Sequence, residues 1–440
     1  MNTAIYWFRS DLRLEDNPNF LSACKASDAL LPIYVHAPQE SLIWGFERIG
    51  KHRQQFLRDA LGDLQQQLEQ LGSDLLELQT PQDGSNSALD LVVNVAHQHG
   101  IQTIYCEVIE APEEMQALTT LRQAGLIVHA KLESTMIAVR DLPFAPEAMP
   151  DQFTQFRNAI EKAKHLFTKP VSAPSHIPPL PANFKRSELA ADTLIPRRTE
   201  SVSPKNGHPQ SSFPHYLETY RGGTRAAIAH LQQYLERALP HSYKATRNQL
   251  HGLDYSSKLS PWLALGSISA RSVMQKLNQF ESEQGANEGS YWLWFELLWR
   301  DYFRVLHLKY GKQLYYASGL NQSDKPIHNA RGFQHWCSGT TGESIVDAGM
   351  RELHATGYLS NRLRQVVASY LIYDLHSDWR AGAAWFESQL LDYDVYSNQG
   401  NWLYIAGRGT DPRGGRRFNP QKQAQDHDAN GSYRALWLSD

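Results

Sequence analysis

The feature of this sequence that most constrains its fold is an alternation of short apolar runs with longer amphipathic stretches over residues 1–135. Helical periodicity marks the longer stretches, such as Arg48–Leu71 and Ser87–Gln98. Five shorter runs have the length and apolar content of buried strands: Ala4–Phe8, Leu30–His36, Asp74–Leu78, Thr103–Val108 and Gly125–Leu132. Strands that alternate with helices at this spacing predict an open parallel α/β sheet, in which ligands commonly bind at the carboxyl ends of the strands.

The character of the chain changes after these strands. Of its 22 prolines, 12 fall between Pro143 and Pro214, and proline breaks helices and removes a donor from strand ladders. A connector interrupted by a short helix around Asp151–His165 is therefore predicted. From residue 215 onward helical periodicity dominates, in Arg225–Ala238, Ser269–Gln279, Ser290–Tyr310, Gly342–Ala355, Ser360–Leu375 and Ala381–Leu391. The predicted architecture is an α/β domain (1–135), a Pro-rich connector (136–214) and an all-helical domain (215–440).

Charge and apolar segments narrow the class of protein. The net charge is −3, so any contact with nucleic acid must use a local basic patch. No apolar run has the length of a membrane span or the form of a signal-peptide core, so we expect a cytoplasmic protein, and a monomer. The three cysteines, Cys24, Cys106 and Cys337, lack zinc-site spacing, so we expect reduced thiols and no metal.

Motifs of commoner nucleotide-binding and hydrolytic folds are missing. The sequence has no G-x-G-x-x-G after a strand, no G-x-x-x-x-G-K-[ST] and no G-x-S-x-G. A Rossmann dehydrogenase, a P-loop enzyme and an α/β-hydrolase therefore lose support.

The segment SQLLDYDVYSNQGNWLYIAGRGTDP concentrates polar residues near the end of the chain. Asp392 and Asp394 lie two residues apart, and Asn398 precedes Trp402 by four residues. Paired carboxylates suggest metal binding or acid–base catalysis, but no histidine is close in sequence, and Arg364 is a candidate partner from another helix. Taken alone, the segment is better explained as a polar, Gly-rich connection between helices.

Other helices favour a functional interpretation. Two predicted helix faces mix charged and polar groups, one with Glu296, Trp299, Arg300 and Phe303, the other with Asn361, Arg364 and Gln365. Such faces make a poor core because buried charges need partners. The stretch Tyr255–Pro261 offers hydroxyls, backbone donors and a cation before a helix, which suits a phosphate group, although Ser/Pro runs also commonly cap helices.

Several of these segments, in the same order, resemble those of photolyases and cryptochromes. The matching segments are Trp7–Pro18 (WFRSDLRLEDNP), Asp254–Gly266, Phe295–Asp301, Asn361–Gln365 and Leu390–Trp402. Asp141–Lys162 and Tyr243–Leu250 resemble the cryptochrome DASH branch in particular. The resemblance covers essentially the whole chain and implies a helical C-terminal domain that binds FAD.

The resemblance also implies a set of FAD contacts. The residues at the family's FAD-binding positions are Tyr243, Ser256, Ser257, Leu259, Ser260, Glu296, Arg300, Asn361, Arg364, Asp392, Asp394 and Asn398. Arg364 and Asp392 would form an ion pair against the ring system, and Asp394 would hydrogen-bond its polar edge. Asn398 would face flavin N5, where its amide can accept a hydrogen bond and so favour the reduced flavin.

The activity implied by the resemblance is light-driven repair of cyclobutane pyrimidine dimers by an electron from reduced FAD. Glu296, Trp299 and Asn398 would be catalytic, with Trp299 stacking on the flipped lesion and Glu296 hydrogen-bonding it. Gln365 and Tyr404 stand where double-strand photolyases usually carry Met and Trp, which makes the pocket more polar and less stacking. Because extracting a dimer from a duplex costs energy that a single strand avoids, we expect a preference for single-stranded DNA. The alternative is a blue-light photoreceptor that signals through its flavin with little repair.

Three further roles are implied by the resemblance. Trp402 and Trp379 match two tryptophans of the family's electron-transfer chain, but Pro326 occupies the third position, so the chain ends elsewhere, at Trp336 or a tyrosine, or photoreduction is weaker. A basic loop would contact DNA phosphates, although a solvated loop is the simpler interpretation; its arginines are Arg408, Arg413, Arg416 and Arg417. Glu107 resembles a pterin-binding position for a 5,10-methenyltetrahydrofolate antenna, or is a surface carboxylate.

Overall fold

The computed structural model describes residues 2–38, 40–80, 87–185, 193–195, 207–321 and 323–439. Its N-terminal part contains a sheet of five parallel strands, β1 (Thr3–Phe8), β2 (Ala29–Val35), β3 (Leu76–Leu78), β4 (Thr103–Glu107) and β5 (Ile127–Lys131). Their order in the sheet is β3-β2-β1-β4-β5. The predicted open parallel α/β sheet is confirmed.

Both faces of the sheet are buried, which explains why its inner strands are nearly continuous apolar runs. Successive side chains of β1 point to opposite faces, so Ile5 and Trp7 join one apolar cluster while Tyr6 and Phe8 join the other. The helices that pack on the sheet are α1 (Pro18–Ala26), α2 (Lys51–Gln70), α3 (Ala88–Gln98) and α4 (Pro112–Gln123). Apolar residues of α3 and α4 belong to the first cluster, and those of α1 and α2 to the second.

The remainder of the described chain is mostly helical, as predicted, and shares one apolar core. Its helices are α5 (Phe153–Ala163), α6 (Thr224–Glu236), α7 (Tyr243–Thr246), α8 (Ser260–Leu265), α9 (Ala270–Gln284), α10 (Glu288–Tyr310), α11 (Ala330–Ser338), α12 (Ser344–Thr356), α13 (Asn361–Tyr373), α14 (Trp379–Gln389), α15 (Val395–Ala406), α16 (Pro420–His427) and α17 (Ser432–Leu438). Within the part of the chain that the structure describes, no helix is long and apolar enough to cross a membrane.

The α15 helix corrects the sequence-based preference for a Gly-rich connection. Gly400 lies in the middle of this helix because the ring of Phe303, on α10, occupies the space that a Cβ atom would need. A glycine inside a helix weakens it, and a close packing contact is a common reason for its presence. The helix ends at Gly407, whose φ of +68° is the left-handed conformation that favours glycine.

Buried polar contacts join the helical part to the segment that follows the sheet. Asp301 on α10 accepts hydrogen bonds from the backbone N–H groups of Met136 and Ile137, both at 2.8 Å. Arg271 on α9 is only 1% exposed and donates to the Glu133 carboxylate at 2.9 Å. These contacts fix the position of α10, which carries several of the predicted site residues.

Candidate functional site

Arg364 and Asp392 form the ion pair that the sequence predicts. Arg364 lies in the first turns of α13, and Asp392 lies in the link between α14 and α15. The Arg364 Nη2 atom is 2.8 Å from Asp392 Oδ2, and the Arg364 Nε–H donates to the Leu359 carbonyl at 2.8 Å. The other oxygen of Asp392, Oδ1, is buried and has no hydrogen-bond partner. A buried acceptor without a donor suits a polar ligand group.

Asp394 caps the N-terminus of α15. Its Oδ1 accepts the Ser397 N–H at 2.8 Å, and its Oδ2 lies 2.5 Å from the guanidinium of Arg304 on α10. Burial alone would raise the pKa of Asp394, but the guanidinium groups of Arg304 and Arg300 outweigh it and lower this pKa to about 2. Asp394 is therefore a fixed anion at the start of α15.

Asn398 lies in the first turns of α15. Its Nδ2 donates to the Ala383 carbonyl of α14 at 3.0 Å, which leaves the amide oxygen available to accept a hydrogen bond. Trp402 follows one turn later on the same face of the helix and is 2% exposed. The helix therefore places a hydrogen-bond acceptor and a buried indole side by side.

A buried cation lies in the Ser-rich segment before α8. Lys258 is 2% exposed, and its ammonium group lies 3.3 Å from the centre of the Tyr255 ring without a hydrogen-bond partner. Burial lowers the pKa of Lys258 well below its usual value. A buried lysine side chain without a hydrogen-bond partner suits an anionic ligand.

Lys258 has some of the predicted FAD contacts as sequence neighbours. Ser256 and Ser257 are half-buried, Leu259 is buried, and Ser260 is exposed as the first residue of α8. Tyr243, which begins α7, is buried, and burial together with the nearby carboxylate of Glu296 raises its pKa.

The predicted face of α10 is formed, but its groups have separate roles. Glu296 pairs with Arg247, which also lies over the Trp292 ring with 4.3 Å between the guanidinium carbon and the ring centre. Burial raises the pKa of Glu296, and Arg247 partly opposes that effect. Arg300 instead donates to the backbone carbonyls of Ser134 and Leu263, so its guanidinium connects α10 to neighbouring segments.

Trp299 lies in a cluster of aromatic rings. Phe153 of α5 stacks on it, with ring centres 3.6 Å apart and an interplanar angle of 11°. Tyr404 of α15 meets it edge to face at 5.9 Å. The structure therefore brings Trp299, Tyr404 and Phe153 into one cluster of aromatic rings.

Asn361 and Gln365 lie one turn apart on α13. Asn361 is the exposed first residue of this helix, and Gln365 accepts a hydrogen bond from Arg362 at 3.4 Å. Arg362 also donates to Asn248, close in sequence to Arg247, at 2.9 Å. These contacts connect α13 to the segment whose Arg247 pairs with Glu296.

The four arginines predicted to contact DNA divide into two groups. Arg408 donates to the Ala317 carbonyl at 3.1 Å, and Arg416 contacts both the Tyr404 hydroxyl and Asp411. Arg413 and Arg417 are exposed, and Arg417 lies 3.0 Å from Asp374. Arg408 and Arg416 therefore hold the loop to the helices, and Arg413 and Arg417 remain as the accessible cations of the four.

Glu107 is buried and is not a surface carboxylate. At 2% exposure, its carboxylate accepts hydrogen bonds from the backbone N–H groups of Glu133 and Ser134 and from the Asn19 amide. Burial raises the pKa of Glu107 to about 7. The side chain therefore anchors the segment after β5. It does not line the cleft of about 2550 Å³ that this molecule contains.

This cleft lies between the α/β and helical parts. It is lined from both sides, by residues that include Trp7, Arg48, Glu113, Glu387 and Tyr396. Arg48 bridges the walls through ion pairs of 2.8 Å to Glu387 and 2.6 Å to Glu113. The cleft combines aromatic walls with charged groups, as many small-molecule sites do.

Sequence patterns missed three residues of this site, Arg304, Arg247 and Phe153, whereas Lys258 is the cation predicted in the stretch before α8. Arg304 lies one turn after Arg300, so its charge was an available signal. Arg247 and Phe153 lie in segments recognised only through the resemblance, and nothing in their spacing indicated contact with α10.

Comparison with known families matches both parts of the chain. A family model described as DNA photolyase matches residues 4–179, and one described as the FAD binding domain of DNA photolyase matches residues 292–440. The cryptochrome DASH of Gloeobacter violaceus is 40% identical over 99% of this chain and 85% of its own length. That of Xenopus laevis is 39% identical over 98% of this chain and 81% of its own length.

Solved structures agree with these sequence matches. A Synechocystis cryptochrome superposes with a TM-score of 0.89 at 39% identity, covering 100% of this chain and 89% of that one. A bacterial class III photolyase from Agrobacterium tumefaciens gives a TM-score of 0.78 at 25% identity, covering 100% and 86%.

Proposed function

The chain belongs to the photolyase and cryptochrome family, in its cryptochrome DASH branch, and we propose that it repairs cyclobutane pyrimidine dimers under blue light, preferring single-stranded DNA. The observation that carries this proposal is the ring contact between Trp299, on the helix that also carries Glu296, and Tyr404 of α15. When bound and reduced, FAD supplies the electron that opens the dimer after absorbing light.

The residues present fit FAD. The buried polar groups of the described residues that lack a hydrogen-bond partner include the Lys258 ammonium and Oδ1 of Asp392, and both suit the polar groups of a dinucleotide. Lys258 and the serines beside it would hold the phosphates, while the Arg364–Asp392 pair and Asp394 would hold polar atoms of the flavin ring. The amide nitrogen of Asn398 already donates to a carbonyl, so its amide oxygen would accept a hydrogen bond from a protonated ring nitrogen.

The side chains around Trp299 would bind and orient the lesion. Trp299 would stack on one base, using the ring face that Phe153 leaves open. The Glu296 carboxylate, which pairs with Arg247, would accept a hydrogen bond from a base N–H group. Tyr404 offers less stacking area than tryptophan would, and Gln365 is polar, which supports the preference for lesions that need no extraction from a duplex.

The test is dimer loss from oligonucleotides illuminated with chemically reduced, FAD-loaded protein. Single strands should be repaired faster than duplexes, and Tyr404→Trp should narrow that difference. Trp299→Ala should weaken binding of a dimer-containing single strand by about 1–3 kcal/mol, roughly 5- to 150-fold in Kd. Binding of the undamaged strand serves as the control. No dimer loss from either substrate would overturn the repair proposal.

A blue-light photoreceptor is the second candidate. It is favoured by the contacts of two arginines of the basic loop, since Arg408 donates to a backbone carbonyl and Arg416 pairs with Asp411. Fewer cations are then left to contact DNA phosphates. Flavin photochemistry without dimer loss would support this function.

We also propose that the cleft between the α/β and helical parts holds a methenyltetrahydrofolate antenna. Its support is the cleft's size and its aromatic and charged walls. A strong near-ultraviolet absorption band besides the flavin bands would identify the folate. Its absence from protein supplied with the pigment would contradict the proposal.

A further inference from the structure

A row of aromatic rings leads from Trp402 to the protein surface. Trp402 meets Trp336 of α11 edge to face, with ring centres 6.4 Å apart. The row continues from Trp336 to Phe333 at 6.0 Å, from Phe333 to His328 at 5.5 Å, and from His328 to Trp44 at 4.9 Å. It therefore joins the helix that carries Asn398 to the segment between β2 and α2.

We propose that this row is a second route for electrons into the flavin site, with Trp336 as a relay and Trp44 as the exit. The proposal rests on the proposed function only in requiring FAD beside Asn398. Indoles are the most easily oxidised groups in the row, so Phe333 and His328 serve as the medium between two tryptophans.

Trp336 has the properties of a relay. Its side chain is completely buried, and its indole N–H donates to the Val367 carbonyl at 2.9 Å. A backbone carbonyl is too weak a base to take the proton of an oxidised indole. The positive charge on Trp336 therefore stays mobile and passes to another tryptophan.

Trp44 has the properties of an exit. It is half-buried, next to Ile43, which is 92% exposed, and its ring neighbour His328 follows Ile327, which is 81% exposed. The described residues provide no acceptor for its indole N–H, which is left to water. Trp385 is a different candidate, because its ring lies 4.9 Å from that of Phe46. Its indole nitrogen is buried without a hydrogen-bond partner, so it cannot release its proton to solvent.

The proposed step balances as a one-electron transfer. Trp402 gives one electron to the flavin site and regains an electron from Trp336. Trp336 in turn regains an electron from Trp44. The oxidised Trp44 loses its indole proton to water. An external thiol then gives it a hydrogen atom, and two thiyl radicals combine to a disulfide.

The route through Trp379 is less favourable in this chain. Among the described residues, no aromatic ring stacks on Trp379, and its N–H donates to the Ala317 carbonyl at 3.2 Å. The Arg408 guanidinium donates to the same carbonyl at 3.1 Å, so a fixed cation lies close to the indole. That cation opposes positive charge on Trp379.

The test is photoreduction of oxidised, FAD-loaded protein with dithiothreitol in variants Trp336→Phe, Trp44→Phe and Trp379→Phe. Transient absorption follows the tryptophan radical, and the electron spin echo of the radical pair gives the distance between its members. We expect Trp44→Phe and Trp336→Phe each to lower the photoreduction yield by at least half and to remove the most distant radical pair. The photoreduction yield of the double variant Trp336→Phe/Trp44→Phe should be no lower than that of Trp336→Phe alone.

Controls separate the possible outcomes. Trp437→Phe removes a buried indole of α17 outside the row and should leave yield and distances unchanged. Flavin content per chain shows whether each variant is folded and loaded. The proposal would be overturned if Trp336→Phe and Trp44→Phe were photoreduced with the kinetics of the parent protein. It would also be overturned if Trp385→Phe, and not Trp44→Phe, lowered the photoreduction yield. Dimer repair by the chemically reduced parent protein is measured separately, so failure of the route and failure of the proposed function are distinguishable.

Discussion

At the scale of single residues, Asp392 combines one satisfied and one unsatisfied oxygen. Its side chain is 2% exposed, and the Arg364 guanidinium contacts Oδ2 at 2.8 Å. Because both charges are largely removed from water, each depends on the other for its stability. The free Oδ1 is then available to a bound group at no further desolvation cost.

Replacing this carboxylate tests both functions of the pair. Asp392→Asn should lower the free energy of unfolding by about 3–5 kcal/mol, because it leaves Arg364 without its counter-charge. It should also lower the flavin content of the purified protein. Urea unfolding and flavin absorbance per chain measure the two effects.

The matched control is Asp374→Asn, which breaks the exposed pair with Arg417. It should change the unfolding free energy by less than about 1 kcal/mol. Equal effects of the two substitutions would show that the Asp392 pair has no special role.

At the scale of elements, α15 depends on its first residues. Asp394 caps the helix through the Ser397 N–H and neutralises Arg304, which is 3% exposed. The helix in turn carries Asn398 and Trp402. Its position relative to α10 is therefore set by an ion pair at its N-terminus and by the Gly400–Phe303 contact in its middle.

Two substitutions separate the charge of Asp394 from its capping role. Asp394→Asn keeps a capping oxygen and should cost about 3–5 kcal/mol because Arg304 stays buried without a counter-charge. Asp394→Ala should cost about 1 kcal/mol more, through the lost cap. Urea unfolding of both variants measures the two losses of unfolding free energy. The control is Asp90→Asn, in the exposed capping box of α3.

The pH dependence of these variants has a definite sign. The pKa of Asp394 is lowered to about 2, so its stabilising contribution is present above the unfolded pKa of about 3.9 and is lost as pH falls toward 2. Asp394→Asn should therefore lose less stability than the parent between pH 5 and pH 3. A parallel loss in both proteins would contradict the assignment.

At the scale of the whole molecule, a buried histidine pair ties distant parts of the chain together. His52 on α2 lies 3.1 Å from His215, and its other nitrogen contacts the His354 carbonyl of α12 at 3.2 Å. Burial lowers the pKa of His52 to about 4 and that of His215 to about 4. Both rings are therefore neutral in the folded protein at pH 7.

This pair predicts instability in mild acid. Because the folded pKa values lie below the unfolded value of about 6.5, stability is complete above that pH and is lost as pH falls toward 4. One such histidine costs about 2 kcal/mol at pH 5. His215→Gln keeps a donor toward His52 and should reduce the loss of unfolding free energy between pH 7 and pH 5.

The exposed His129→Gln is the control for this measurement and should leave the pH profile unchanged. An unchanged profile in His215→Gln would show that these histidines are not the groups that titrate.

The parallel sheet and the helical remainder could be predicted from the residue pattern, and the Arg364–Asp392 pair from the family resemblance. Strand and helix periodicity are local properties, repeated over enough residues to outweigh single exceptions. The family resemblance added residue roles because its segments occur in a fixed order.

Contacts between residues far apart in sequence depend on the packed fold. Gly400 is compatible with a helix because the Phe303 ring packs against its backbone, and Arg304 pairs with Asp394 because α10 packs against α15. Burial of Glu107 and the row from Trp402 to Trp44 likewise depend on how the elements pack. Periodicity fixes which side of an element a residue occupies, but the residue that faces it is set by packing of the whole chain.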